Sequence, residues 1–402
     1  MYFQTKDKSE CCACTACVNA CPKSCIRMVQ DKEGFAYPEI DKTSCIDCHL
    51  CEKVCPVEHP DYSNAHTPDT YAVLLNNKDE RKKSSSGGAF YGIASFVLDN
   101  KGVVVGATMD KDHQVRHIAI DSSDDLYRLR GSKYVQSSLH DVFSIVKQAL
   151  LDDRWCYFVG TGCQVAGLKA FLRKSNDKLI TSDLVCHGVP SQKLFDMHIA
   201  YLEEKYKDKV IDYQFRDNSL WGGCEIADFA NHKPIKNPSY ELSPYLYSFM
   251  YAMTYRYSCY DCKFACIPRQ GDITLADYWG AKEFFPQIDT THGVSLVLVN
   301  TEQGKKVWEY VKESYEYYQS TVEDGAKYNG NLVKKSKKTA VRAEIYQLIE
   351  EIGYKKVAET TFKSPNIIKI RLFNVINNSG LLRLLLQVYR KIKNRSLLYY
   401  TL

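Results

Sequence analysis

Ten cysteines fall within residues 11–55, and eight of them use one spacing twice. Cys11, Cys14, Cys17 and Cys21 are spaced C-x2-C-x2-C-x3-C and followed by Pro22, and Cys45, Cys48, Cys51 and Cys55 repeat the pattern before Pro56. The two-residue gaps let three thiolates of one short loop converge on three irons of a 4Fe–4S cube, and the fourth cysteine of each run then ligates the other cube. Cys11, Cys14, Cys17 and Cys55 are therefore assigned to one cluster, and Cys45, Cys48, Cys51 and Cys21 to a second. So short a segment has little apolar core of its own, so the crossed ligands tie its halves together. Zinc would use paired C-x2-C knuckles, not triplets followed by Cys-Pro. Cys12 and Cys25 lie outside the pattern and read as buried small apolar residues. Between the runs, residues 35–40 read as a short strand.

The whole chain has 402 residues and 17 cysteines, an odd number that no closed disulfide framework can use. Hydrophobic residues make 45% and charged ones 25%, the balance of a globular protein with room for two or three domains. The sequence shows no signal peptide and no run of about 20 apolar residues, so a cytoplasmic location is expected. Residues 1–66 hold 7 Lys/Arg against 10 Asp/Glu, which leaves +8 on the remainder and fits internal docking of an acidic redox module on a basic body. The basic residues are not interleaved with an aromatic reading surface, so no nucleic-acid partner is expected.

After a polar linker near residues 59–69 the pattern becomes that of alternating strands and helices. Strands are expected at 71–76, 102–108, 155–159 and 179–185, and helices at 89–99, 165–174 and 192–206. Ser84-Ser85-Ser86-Gly87-Gly88 opens the first of these helices, where free N–H groups suit a phosphate but where ordinary capping explains the residues as well. Gly160-Thr161-Gly162-Cys163-Gln164 and Cys186-His187-Gly188 follow strand ends, the usual place for ligands in α/β sheets. No dinucleotide fingerprint or Walker loop occurs. Cys259 and Cys262 form a further C-x2-C pair that needs two more ligands, with Cys163, Cys186 and Cys266 as candidates. Cys156 and Cys224 read as structural. Zinc is the alternative there, and a third iron–sulfur cluster is preferred because two already precede it.

These stretches resemble the beta-subunit family of coenzyme F-420 hydrogenases and dehydrogenases. The resemblance runs in order through Ser85-Ser86-Gly87-Gly88, Arg130-Gly131-Ser132-Lys133-Tyr134-Val135-Gln136, residues 160–164, residues 184–188 and Cys259-x2-Cys262. Arg269-Gln270-Gly271-Asp272-Ile273-Thr274 and Ala276-Asp277-Tyr278-Trp279-Gly280 complete it. It implies FAD in the body, held by Ser86, Gly87, Gly88, Ser132, Lys133 and Tyr134. It also implies a core 4Fe–4S cluster on Cys163, Cys186, Cys259 and Cys262, with Cys266 as a neighbour. The family usually has proline where Gly162 stands.

The expected fold is a small bacterial-ferredoxin-like module (1–60), a larger mixed α/β flavin-binding body (70–355) and a helical tail (360–402). The expected function is an iron–sulfur flavoprotein oxidoreductase, passing electrons between a ferredoxin-type donor and an FAD-bound substrate or hydride carrier. The alternative is an electron-transfer subunit that serves a separate catalytic partner. Lys133, near the flavin, and His187, beside Cys186, are the candidate catalytic residues; a solvated lysine and a histidine that orients a cluster loop are the competing readings. Residues 364–402 carry Lys369, Arg371, Arg383, Arg390, Lys391, Lys393 and Arg395 and no acid, interleaved with Leu and Ile. Packing on the body or on a partner is the preferred reading of this segment, and contact with an anionic membrane surface the alternative.

Overall fold

The two cysteine runs fold as matching loops around a hairpin in which β1 (Ile26–Gln30) pairs antiparallel with β2 (Ala36–Ile40). The computed structural model describes residues 1–217 and 222–368. Each loop leads into a short helix, Ala16–Ala20 in the first and Leu50–Lys53 in the second. Ala13 and Thr15 flank Cys14 with φ of 57° and 61°, and Asp47 and His49 flank Cys48 with φ of 51° and 57°. Left-handed backbone costs an ordinary residue roughly 1–2 kcal/mol. Its recurrence at the same two places marks loops shaped around something they enclose.

The body is built on an eight-stranded sheet. Its strands in chain order are β3 (Asp69–Leu75), β4 (Val103–Met109), β5 (Val115–Ile120), β6 (Cys156–Thr161) and β7 (Leu179–Leu184). A smaller antiparallel sheet follows, of β8 (Val210–Asp217), β9 (Gly222–Phe229) and β10 (Ile235–Asn237). The large sheet is then completed by β11 (Ile273–Asp277), β12 (Ser295–Val299) and β13 (Tyr315–Ser320), in the order β13-β3-β12-β11-β7-β6-β4-β5. The centre, β4-β6-β7-β11, is parallel, and antiparallel strands flank it.

Side chains of the central strands alternate between two cores, as the pleat requires. Val104, Tyr157 and Val159 pack with Ile93 and Val97 of helix Ala89–Asp99 and Val307 and Trp308 of helix Glu302–Val311. Val103, Val105, Cys156 and Phe158 pack on the other face with Val142, Phe143 and Val146 of one helix and Val165 and Leu168 of another, Gly162–Leu172. That last helix starts three residues before the expected Val165, because the Gln164 side chain accepts the Thr161 N–H at 2.9 Å and caps it. Helices Ala89–Asp99 and Gln192–Tyr206 have the expected bounds.

The cysteine-rich module docks on the second face. Cys12, Cys14, Ala16 and Val54 share one core with Val165 and Leu168. A Cβ on Gly167 would lie 2.6 Å from Cys14 Cβ, so only glycine lets the helix approach this closely. Glu33 of the hairpin turn takes a bidentate pair from the fully buried Arg342, and its carbonyl accepts from Ser191 Oγ at 2.6 Å.

The β8–β10 sheet packs on helices Gln192–Tyr206, Pro244–Met250 and Tyr354–Thr360 through Phe195, Tyr213, Phe215, Tyr245 and Tyr354. At its centre Glu225 accepts from His198 Nε2 at 2.5 Å, Ser243 Oγ at 2.7 Å, Tyr213 at 3.0 Å and Asn237 at 2.7 Å. The basic residues of the tail, Lys369 onward, lie outside the described residues. Among the described residues no helix is long and apolar enough to cross a membrane.

Candidate functional site

The parallel strands β6, β7 and β11 end at Thr161, Leu184 and Asp277, and their carboxyl ends open on one cavity of about 380 Å³. This is the edge of a doubly wound sheet at which ligands bind, and the volume is that of a cofactor site. Cys163, Cys186, Cys259 and Cys262 line it, and so do Ser86, Gly88, Ser132, Lys133, Tyr134 and His187. Gly87 does not: a Cβ there would lie 2.1 Å from the Val73 carbonyl oxygen, so this glycine serves the contact with β3 instead.

The four cysteines come from three places, two of which one buried ion pair ties together. Arg269 pairs with Asp183 at 2.8 Å, both side chains fully buried. The same guanidinium donates to the Leu184 and Phe264 carbonyls, each at 3.0 Å, so the segments carrying Cys186 and Cys262 are fixed to each other. Phe264 N–H donates to Cys262 Sγ at 3.4 Å, the kind of bond that loops give to a thiolate. Cys266 does not line the cavity, and its thiol donates to the Lys263 carbonyl at 3.3 Å. At Gly162 a Cβ would stand 3.0 Å from Phe264 Cβ, so the missing proline lets residue 264 approach closely. Among the described residues no three His, Cys, Asp or Glu side chains converge as the ligands of a single ion would. The cysteines surround a space, which suits a multi-iron cluster better than zinc.

Serines, Arg130 and Lys133 add polar groups to the same lining. Ser85 Oγ accepts the Ser132 N–H at 3.0 Å, joining the loop of residues 84–88 to that of residues 130–136, and helix Ala89–Asp99 starts at Gly88 with φ of 89°. Ser86 Oγ donates to the Val294 carbonyl at 2.8 Å. Arg130 pairs with Glu80 and lies 4.4 Å over the Tyr91 ring. Among the described residues four buried side-chain atoms of cavity residues make no hydrogen bond: His117 Nδ1 and the Nε atoms of Arg130, Arg216 and Arg269.

Titratable groups in the cavity are shifted by burial. His117 is held down to about 4 by desolvation, and its Nε2 meets the Val159 carbonyl at 2.9 Å, so the neutral ring keeps Nδ1 free to accept. Lys133, half-buried, is drawn down to about 7 by desolvation, and its Nζ donates to the Arg130 carbonyl at 2.6 Å. Tyr134 stacks on Phe249 at 4.6 Å. His187 lies against the same Phe249 ring at 6.2 Å, burial lowers its pKa, and its carbonyl accepts from Ser336 Oγ at 2.5 Å.

Two smaller cavities lie in the N-terminal module. Cys11, Cys14, Cys17 and Cys55 line one, and Cys21, Cys45, Cys48 and Cys51 the other, with Cys51 reaching both. The first adjoins the body, where the Cys12 thiol is in hydrogen-bonding reach of both Cys14 and Cys163. Sequence reasoning missed Arg256, Arg269, Asp183, Arg130 and His117. Arg269, Asp183 and Arg130 stand inside or beside the stretches that carry the resemblance, while His117 and Arg256 carry no pattern of their own.

The sequence matches the models of the coenzyme F420 hydrogenase/dehydrogenase beta subunit, N-terminal part over residues 70–144 and C-terminal part over residues 153–324. The chain belongs to that family. Residues 10–59 match a 4Fe–4S dicluster domain, so this member of the F420 hydrogenase/dehydrogenase family is an iron–sulfur electron-transfer protein with its own dicluster domain. Among solved structures, a chain of the F420-reducing NiFe hydrogenase complex from Methanosarcina barkeri is similar at 17% identity, covering 73% of this chain and 91% of that one, with a TM-score of 0.44. No curated protein matches.

Proposed function

We propose that the protein is an FAD- and 4Fe–4S-dependent oxidoreductase that exchanges electrons between a ferredoxin-type carrier and a substrate or hydride carrier at the flavin. The observation that carries this reading is the single cavity shared by four cysteines and the two flavin-type loops. Cys11, Cys14, Cys17 and Cys55 would hold one cluster, Cys21, Cys45, Cys48 and Cys51 a second, and Cys163, Cys186, Cys259 and Cys262 a third. Ser86, Gly88, Ser132, Lys133 and Tyr134 would hold the flavin, with Gly87 setting the loop against β3. Clusters carry single electrons and a flavin exchanges them for a hydride, so the pair couples one-electron to two-electron chemistry.

The chain's own residues prepare that exchange. Arg130 and the start of helix Ala89–Asp99 present positive ends to a phosphate. Lys133, with a pKa near neutrality, can hold or release a proton beside the cofactor. His187 can do the same or orient the Cys186 loop. The test is anaerobic addition of a reduced low-potential carrier to the full chain, with flavin absorbance followed. Bleaching in the wild type and slow bleaching in Cys163→Ser support the reading; a chain with no flavin spectrum rejects it.

The family models name a beta subunit, and this favours a second reading, an electron-transfer subunit serving a catalytic partner. Turnover by the isolated chain decides against it, and a co-purifying larger subunit with no turnover in its absence decides for it.

A further inference from the structure

Among the described residues three arginine side chains are fully buried, Arg256, Arg269 and Arg342. Arg269 has Asp183 and Arg342 has Glu33 as carboxylate partners. Among the described residues Arg256 has none. Its Nε donates to the Cys11 carbonyl at 2.6 Å, one terminal nitrogen to the Ala36 carbonyl at 3.0 Å, and the other to Gln136 Oε1 at 3.3 Å. The guanidinium lies 4.1 Å over the Tyr37 ring. Every one of these partners is neutral.

A buried cation without a counter-charge costs several kcal/mol and is rarely kept. The position of Arg256 names the missing counter-charge. Its side chain lines the large cavity together with Cys259, three residues along the chain. Its strongest bond is to the carbonyl of Cys11, whose thiol lines the adjoining cavity of the N-terminal module. The ionisable groups near enough to act on its charge are Cys11, Cys12, Cys259 and Tyr37, and ligation of a cluster makes thiolates of Cys11 and Cys259. A cube held by four thiolates is a net anion, and more so when reduced.

Resting on the cluster reading above, we infer that Arg256 is a positioning residue whose fixed charge is shared by the module cluster at Cys11 and the core cluster at Cys259 and raises the reduction potential of both. Net charge and hydrogen bonding around a cluster are the levers a protein has on its potential. Arg256 supplies both, because it also holds the Cys11 loop against the body. The cluster of Cys21, Cys45, Cys48 and Cys51 lies in the other cavity, whose lining holds none of the residues that Arg256 bonds, and keeps its own potential.

The test is a redox titration of the full chain followed by electron paramagnetic resonance, in wild type, Arg256→Lys and Arg256→Gln, with iron counted per chain. Arg256→Gln is expected to shift two of the three signals to more negative potential and leave the third in place, and Arg256→Lys to shift them less. Equal shifts in both variants, or none in Arg256→Gln at full iron content, overturn the inference. If Arg256→Gln loads less iron, the cluster-free melting temperatures decide. The inference expects the variant to match or exceed cluster-free wild type, because the uncompensated charge is gone; a lower value makes Arg256 a structural residue only. Wild type with no third signal defeats the core-cluster reading itself, a result independent of the variants.

Discussion

Asp183 on β7 and Arg269 in the loop before β11 meet at 2.8 Å with both side chains out of solvent. Asp183 also accepts from Thr274 Oγ1 at 2.6 Å, and Arg269 reaches the carbonyls of Leu184 and Phe264. The pair thus joins the strand that precedes Cys186 to the loop that follows Cys262. Asp183→Asn leaves the guanidinium without its counter-ion and is expected to cost about 3–5 kcal/mol. A denaturant series read with iron content should show a lower midpoint and loss of about a third of the iron. An unchanged midpoint would mean that the loops are held by other contacts.

Gly167 lies within helix Gly162–Leu172, where alanine would ordinarily add about 1 kcal/mol. The Cys14 Cβ at 2.6 Å from a built Cβ reverses that sign, since neither atom can move without its backbone. Gly167→Ala is expected to lower the melting temperature of the full chain and loosen iron retention in the module. A higher melting temperature would show that the module can shift on its seat.

Lys133 carries a pH dependence. Its folded pKa of about 7 lies below the ordinary 10.5, so the unfolded chain binds the extra proton between those values. Stability should therefore rise with pH across about 7–10.5, fastest midway between those values, and Lys133→Met should lack that rise. An anionic flavin favours the protonated amine, so wild-type flavin affinity should fall as pH passes 7 and the variant's should stay flat. Melting curves and flavin titrations at several pH values read both, and parallel curves for the two proteins count against a role for Lys133.

The four core cysteines should be separable from their neighbour. Serine at Cys163, Cys186, Cys259 or Cys262 is expected to bring iron from about twelve to about eight per chain, while Cys266→Ser leaves it near twelve. Loss of iron in Cys266→Ser with retention in Cys163→Ser would exchange the two assignments.

What could be read from the sequence follows from which forces leave a local trace. The β-branched run Val103–Val105 and the spacing of Ile93, Ala94 and Val97 announced a strand and a helix, because the strand is buried on both faces and the helix packs one face on a core. The cysteine spacings pointed to cluster loops for the same local reason. Arg256 and Arg342 left no trace, since a buried cation is stabilised by partners more than 200 residues away, Cys11 and Ala36 for one and Glu33 for the other. His117 was invisible because its use depends on the Val159 carbonyl that fixes its tautomer. The small sheet β8–β10 escaped because its core is aromatic and its strands carry few Val and Ile. Gly87 was grouped with its flavin-loop neighbours, and only the approach of β3 shows which way it faces.

The central claim is one cavity serving a flavin and a third cluster. Iron, sulfide and flavin counted on the same anaerobically purified full chain test it most directly. About twelve irons and one flavin per chain are predicted; eight irons or fewer, or no flavin, would contradict it.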